Sequence, residues 1–117
     1  MQAAIVLTTL GADADAGAIA RTLVDERLAA CVNVLPLMMS TYRWKGAVEQ
    51  EREQQLVIKT SRSRVSALQA RLRELHPYEL PEFLVLDATG SAAYLEWIEG
   101  SVTVSGASER SSAIGPT

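Results

Sequence analysis

One eight-residue stretch, LHPYELPE at positions 75–82, combines residue types that carry out chemistry in proteins. It holds His76, the only histidine of the chain, followed closely by Tyr78, Glu79 and Glu82. An imidazole titrates near neutral pH and binds metals, and carboxylates act as ligands or as general acids and bases. Two prolines in the stretch restrict its backbone, which would hold such a cluster in place. The stretch therefore predicts a metal-binding or acid–base site at His76, Glu79 and Glu82.

A structural role for His76 is the alternative. Leu68, Leu72 and Leu75 form the apolar stripe of a helix, and Pro77 disfavours helical geometry at His76, so the helix ends there. A histidine at this position interacts favourably with the helix dipole and satisfies a backbone carbonyl. Both readings of His76 stay open at this level.

Cys31 is the other candidate metal ligand. As the only cysteine it forms no intramolecular disulfide, which predicts a reduced, cytoplasmic setting. Its apolar neighbours Ala30 and Val32 favour a small buried side chain, and a soft-metal ligand or redox thiol is the alternative. One cysteine and one histidine give a structural zinc site within a single chain at most two preferred ligands.

Three glutamates alternate along a polar segment. Glu49, Glu51 and Glu53 share one face if the segment is a strand. We interpret them as a solvated or subunit-interface edge with basic partners, and a hard-cation site is the alternative. The candidate partners are Arg43, Lys45 and Arg52.

Composition excludes several classes of function. The 117 residues are enough for one domain, and 48% of them are hydrophobic. A net charge of -3 without a basic cluster argues against nucleic acid or an anionic membrane as partner, so Tyr42, Trp44 and Trp97 are expected to pack rather than to stack on bases. The N-terminal apolar run is too short for a signal peptide or membrane span. No Ser-His-Asp order, phosphate loop or paired-cysteine motif is present, so we predict that the protein is not an enzyme.

Hydrophobic periodicity divides the first third of the chain. Residues 5–10 form a short apolar run that predicts a buried strand. Apolar residues then recur at helical spacing over 16–28, which predicts an amphipathic helix capped by Asp13 or Asp15. The run 31–35 predicts a second strand.

A long hairpin is predicted next. Pro36 interrupts the second strand, which indicates a bulge or bend. Residues 38–44 resume the extended pattern, and Lys45-Gly46 forms a plausible hairpin turn. The first half of 47–60 has helical propensity, but we predict one long strand because the turn separates two runs of similar length.

The remaining elements complete an alternating pattern. Ser61 or Ser63 is expected to cap the helix that ends at His76, and the apolar run 82–87 predicts the last strand. Ser91 is expected to cap a short helix closed by Gly100.

The order of elements predicts the fold. It is β-α-β-β-α-β with an extra C-terminal helix, an α+β arrangement of the ferredoxin-like kind. We assign one domain to residues 1–100 and a flexible tail to 101–117, which is rich in Ser, Gly, Ala and Thr. The hairpin strands are too long for one small core, so their exposed edges predict self-association by strand pairing.

An ordered series of short motifs carries a family resemblance. They are RLAACVN at 27–33, Pro36, Ser40, Tyr42, Trp44, Gly46, Glu53, IKT at 58–60, HPYE at 76–79, PE at 81–82 and YLEWI at 94–98. Together they resemble the CutA family of divalent-cation tolerance proteins over about residues 4–99. The resemblance implies a tight homotrimer, similar to the PII signalling proteins, whose hairpin strands pair between subunits and which has no catalytic activity.

The resemblance also bears on metal binding. Family members with proposed copper ligands have a thiol in the first strand and two adjacent histidines before Pro-Tyr, and these places correspond to Thr8 and Leu75 here. The predicted ligand set is therefore His76, Glu79, Glu82 and Cys31, binding copper or another divalent cation weakly and with little selectivity. Two alternatives are a PII-like sensor of a small molecule or anion and a structural trimer that binds a protein partner.

Overall fold

The computed structural model describes residues 2–76, 78–104 and 115–117. Its elements are β1 (Ala3–Gly11), α1 (Ala16–Asp25), β2 (Cys31–Val34), β3 (Met38–Trp44), β4 (Ala47–Ser61), a 3-10 turn (Arg62–Arg64), α2 (Val65–Leu75), β5 (Leu84–Ala88) and α3 (Ala92–Val102). The predicted α+β, ferredoxin-like succession with an extra C-terminal helix is confirmed.

The strands form one antiparallel sheet in the order β2-β4-β1-β5, with β3 paired to the outer half of β4. β4 is the organising strand, because it pairs with β1, β2 and β3. Ile58 of β4 lies opposite Val6 of β1 and Val32 of β2, which places three β-branched side chains in a row on one face. This row fixes the register, since a slip by one residue would turn it away from the helices.

The β3–β4 hairpin extends beyond the rest of the sheet. β4 has 15 residues, and the part before Glu53 pairs with β3 alone. Lys45 and Gly46 have φ values of 51° and 85°, as in the two-residue type I′ turn that suits a twisted hairpin. The predicted turn and long strand are confirmed. Pairing with β3 overrides the helical propensity of the glutamates and glutamines.

The two faces of the sheet are covered unequally. Helices α1 and α2 cover one face and build the main core with β1 and β4. The buried residues of this core include Val6, Leu10, Leu23, Leu56, Ile58, Leu68 and Leu72. On the opposite face, α3 packs its Ile98 and Val102 on Ala3 and Ala30 at one end only. The rest of that face is left without a covering layer by the described residues.

The caps and ends of the helices correct part of the prediction. Asp15 and Ser91 are N-caps as expected, accepting hydrogen bonds from the backbone N–H groups of Ala18 and Tyr94. Neither Ser61 nor Ser63 caps α2, which begins after Arg64; their hydroxyls hydrogen-bond each other. A 3-10 turn ahead of α2 displaces the two serines from the cap position.

The C-terminal boundaries also differ. α3 continues past Gly100 to Val102, so the prediction that Gly100 closes the helix is wrong. Burial of Val102 against the sheet stabilises the extra residues. β5 begins at Leu84 rather than at residue 82, which leaves Glu82 in the preceding loop. Most of the predicted tail, residues 105–114, lies outside the described residues. None of the described helices is long and apolar enough to span a membrane.

Candidate functional site

A cleft of about 790 Å³ lies between the β3–β4 hairpin and the loop at residues 78–82. This loop consists of the last five residues of the LHPYELPE stretch. The hairpin contributes Tyr42, Trp44, Glu51 and Glu53, with Met38, Ser40 and Arg43 beside them. The volume falls in the range of small-molecule sites. Part of the stretch predicted to do chemistry thus lines a cleft, together with Glu51 and Glu53, two of the three alternating glutamates of β4.

His76 anchors this loop to the sheet. It ends α2, its backbone N–H donating to the Leu72 carbonyl oxygen at 2.7 Å, and its side chain is buried. Nδ1 accepts a hydrogen bond from the Tyr78 backbone N–H at 3.2 Å, so Nε2 carries the proton and donates it to the Thr9 carbonyl oxygen at 2.5 Å. β5 pairs with β1 only as far as Leu7. Beyond that point, the His76 ring provides the hydrogen-bond donor for the Thr9 carbonyl oxygen of β1.

Both nitrogens of His76 are therefore occupied. A metal binds an imidazole through a free lone pair, and this ring offers none in the observed arrangement. Of the two roles left open by the sequence, the contacts favour the helix-end role.

Tyr78 and Glu53 form the inner wall of the cleft. The Tyr78 hydroxyl donates to Glu53 Oε2 at 2.9 Å, and the Glu53 side chain is almost buried. The Tyr78 hydroxyl also lies close to Gly11, where an added Cβ would stand 3.3 Å from the Tyr78 oxygen and would push it slightly away. The Tyr78 ring also meets the His76 ring edge-on, with centroids 4.7 Å apart. These contacts tie the loop, β1 and β4 together at one point.

Tyr78 should titrate at unusually high pH. Its pKa is raised well above the ordinary 10.0, first by burial, then by the hydrogen bond to Glu53 and the charges of Glu53 and Glu51. Because the pKa of Tyr78 is higher in the folded state, its protonated hydroxyl contributes fully to the free energy of unfolding below about pH 10. That contribution is lost as the pH rises above this value. An ultraviolet titration of the phenolates should therefore lose its most alkaline step in Tyr78→Phe. An unchanged titration curve in that variant would show that Tyr78 is not the group concerned.

Glu79 and Glu82 reach the outer part of the cleft. Glu79 is exposed and forms an ion pair with Lys45 at 3.7 Å, which water screens strongly. Glu82 Oε2 accepts from Gln55 Nε2 at 2.9 Å, and the same amide nitrogen donates to the Thr8 carbonyl oxygen. Glu79 and Glu82 therefore line the same cleft as Glu53, the first two from the loop and the third from β4. The three carboxylates do not converge on one point where they could chelate an ion.

Cys31 lies apart from the cleft. It begins β2, opposite Lys59 of β4, and its thiol is within 3.8 Å of the Asn33 side-chain oxygen. The structure therefore does not bring the four predicted metal ligands together in one subunit. Within residues 2–76, 78–104 and 115–117, no three His, Cys, Asp or Glu side chains are grouped to hold one ion.

Sequence reasoning missed the roles of two groups in the cleft. Trp44 was expected to pack, yet its half-buried ring lines the cleft, and Lys45 Nζ lies 5.5 Å from its centroid. Glu53 was grouped with Glu49 and Glu51 as a solvated or subunit-interface edge, with a hard-cation site as the alternative. Within one chain it is instead buried against Tyr78. No periodicity within the segment signals this burial, because it depends on contact with Tyr78, which is remote in sequence.

Comparison with known proteins identifies the family. The model of the CutA1 divalent ion tolerance protein matches residues 4–101. The chain belongs to the CutA family. A CutA relative described as a divalent-cation tolerance protein, from Thermus thermophilus, is 43% identical over 95 residues, which cover 80% of this chain and 92% of the relative.

Solved CutA structures agree with this fold. CutA from Xylella fastidiosa is 42% identical and superposes with a TM-score of 0.83 over 88% of this chain and all of that one. A Nostoc protein described as PII-like CutA, in apo form, is 38% identical with a TM-score of 0.79, covering 89% of this chain and 99% of its own. The resemblance to the CutA family that the sequence predicted is confirmed. The fold is also similar to that of a CutA protein described as PII-like.

Proposed function

We propose that this chain acts in divalent-cation tolerance as a non-catalytic homotrimer that binds copper or another divalent cation weakly. Membership of the CutA family, which is named for tolerance rather than for a reaction, is the observation that carries the proposal. The single cysteine favours a reduced cytoplasmic setting for it.

The uncovered face of the sheet supports the trimer. Leu86 lies opposite Ile5 and Leu84 lies opposite Leu7, so all four point to the face that α3 covers only at one end. Leu84 and Leu86 are 56% and 51% exposed in the single chain. Contiguous exposed apolar side chains of this kind mark an interface, and identical copies related by a closed rotation would bury them together.

The donors in the cleft suit weak metal binding only. His76 has no free lone pair, and the described residues of one subunit hold no group of three ligands. Glu79 and Glu82 are therefore the carboxylates that the loop offers to an ion in the cleft. An ion bound by Glu79 and Glu82 would complete its coordination shell with water molecules or with ligand groups of a partner subunit. Two carboxylates give low affinity and little selectivity, with dissociation constants of about 10⁻⁴ M or weaker.

Calorimetric titration with Cu(II) and Zn(II) tests the metal proposal. The double variant Glu79→Gln, Glu82→Gln should lose the weak binding, whereas His76→Ala should keep it. A matched control, Glu96→Gln with Glu99→Gln, removes the same charge from α3, which does not line the cleft. Equal loss of binding in both double variants would contradict a site in the cleft, and loss in His76→Ala alone would restore the histidine as ligand.

The alternative of an anion sensor receives less support. Of the residues that the structure describes, Glu51, Glu53, Glu79 and Glu82 line the cleft against one cation, Arg43, with Lys45 at its rim. This excess of negative charge repels anions and attracts cations.

A further inference from the structure

Glu53 is a largely buried carboxylate that no cation among the described residues neutralises. It is 8% exposed, and it lines the cleft. Among the described residues its only hydrogen-bond donor is the neutral Tyr78 hydroxyl, on Oε2, and no Lys, Arg or His lies within ion-pair distance. Burying a carboxylate is costly unless donors or a cation compensate it. The other oxygen, Oε1, makes no hydrogen bond within the described residues, and no fully buried side-chain oxygen there is left without a partner. Oε1 therefore keeps contact with solvent, and a positively charged donor in the cleft can reach it.

The walls of the cleft suit an ammonium group attached to an alkyl chain. Tyr42, Trp44 and Tyr78 present aromatic surface, and Leu80 and Pro81 present aliphatic surface. Aromatic faces attract cations, most strongly when the ring is tryptophan. The protein's own Lys45 ammonium already uses this attraction, lying 5.5 Å from the Trp44 centroid while paired with Glu79. The rim of the cleft thus holds one alkylammonium group from the chain itself.

The spacing of the carboxylates argues against a metal ion at this deeper position. A metal ion needs several ligand atoms converging on one point at about 2.0–2.6 Å. Glu53 belongs to the strand β4, whereas Glu79 and Glu82 belong to the loop opposite, and no three such groups converge in the part of the chain that the structure describes. Carboxylates on a strand and on the opposite loop, in a cleft that is also lined by apolar side chains, fit an elongated ligand that has a positive charge at each end.

We propose that the cleft binds a linear aliphatic diamine or polyamine. One ammonium group donates to Glu53 Oε1, the alkyl chain lies along Trp44 and Tyr42, and the second ammonium reaches Glu79 or Glu82 at the outer end. This ligand class goes beyond weak metal binding, because it depends on Glu53 and on the aromatic wall, neither of which the metal proposal uses.

The electrostatics of the neighbouring tyrosine agree with the proposal. The pKa of the Tyr42 hydroxyl is raised by desolvation first and then by the negative charges of Glu51, Glu49 and Glu53. A positive ligand would relieve the repulsion among these carboxylates, which a neutral ligand of the same shape would not.

Titration with putrescine, butylamine and 1,4-butanediol tests the proposal on the full chain at physiological ionic strength. The diamine should bind about tenfold more tightly than the monoamine, because only it makes two charge-assisted contacts, and the diol should not bind. Spermidine should bind at least as tightly as putrescine. Lys45→Ala should raise the affinity for putrescine, because it frees the Trp44 face and Glu79.

Glu53→Gln isolates the buried carboxylate. Glutamine keeps an acceptor for the Tyr78 hydroxyl and removes the charge, so putrescine affinity should fall about tenfold or more. Glu49→Gln is the matched control, because Glu49 lies on the same strand face but outside the cleft. At physiological ionic strength this variant should change the affinity for putrescine by no more than about twofold. Trp44→Leu provides a second test if Glu53→Gln is unstable, with an expected loss of about two- to fivefold.

The outcomes separate this inference from the proposed function. Absence of putrescine binding, or equal weakening by Glu53→Gln and Glu49→Gln, would overturn it, the latter by indicating general attraction of cations. Cu(II) or Zn(II) binding that persists in Glu53→Gln would leave the metal proposal intact in either case. Metal binding lost together with putrescine binding in that variant would contradict the separation of the two sites.

Discussion

Replacing Leu86 with glutamate is expected to convert the proposed trimer into single chains. Leu86 is half-exposed in one subunit, so the substitution should cost the isolated fold little. In a closed trimer the same position would be buried three times, and each uncompensated carboxylate would cost several kcal/mol. Light scattering coupled to size exclusion should therefore show the mass of one chain instead of three, at micromolar concentration.

Val24→Glu is the matched control for this experiment. Val24 is an exposed apolar residue, at 41%, but it belongs to α1 on the helical face of the sheet. The same change there should leave the mass of the assembly unaltered. A trimer that survives Leu86→Glu, or a wild-type protein that runs as one chain, would show that this face is not the interface.

His76→Ala is expected to reduce the free energy of unfolding by about 2–3 kcal/mol. The variant leaves the buried Thr9 carbonyl oxygen without its donor and the Tyr78 N–H without its acceptor, and it removes the contact between the two rings. Urea denaturation at a fixed protein concentration measures the change, because assembly into the proposed trimer would make the apparent stability depend on concentration.

His76→Gln distinguishes the hydrogen bond from the packing. A glutamine amide can donate near the position of Nε2, so this variant should lose less stability than His76→Ala. His76→Phe keeps a ring of similar size without either hydrogen-bonding nitrogen, and it should be close to alanine in its loss. Full stability in His76→Phe would mean that the hydrogen bonds to Thr9 and Tyr78 contribute little.

Much of the fold was predictable because, in most helices and strands, the local sequence preferences agree with the long-range packing and pairing of the same residues. Asp15 and Ser91 cap helices as their position before an apolar period suggests, and Lys45-Gly46 adopts the positive φ values that a tight hairpin needs. Ser61 and Ser63 failed as caps because β4 continues to Ser61 and a 3-10 turn follows it. Pairing with β1 extends that strand, and no pattern within the serine-rich segment reveals it.

The site was predictable in its location but not in its chemistry. The sequence indicated the stretch around His76, and the structure places Tyr78, Glu79 and Glu82 on one cleft. Whether an imidazole binds a metal depends on which atoms face its two nitrogens. One partner of His76, the Thr9 carbonyl oxygen, belongs to a distant strand. The burial of Glu53 likewise results from contact with a loop remote in sequence, which periodicity cannot report.

The central position of β4 has a consequence for the order of events during synthesis. Among the described strands, β1, β2 and β3 pair with β4 or β5 and never with one another. A nascent chain that ends before Ala47 therefore contains three strands with no mutual hydrogen bonds to make. Until β4 has left the ribosome, α1 and the turns beside it can form local hydrogen bonds, but the edges of the first strands stay open to other chains.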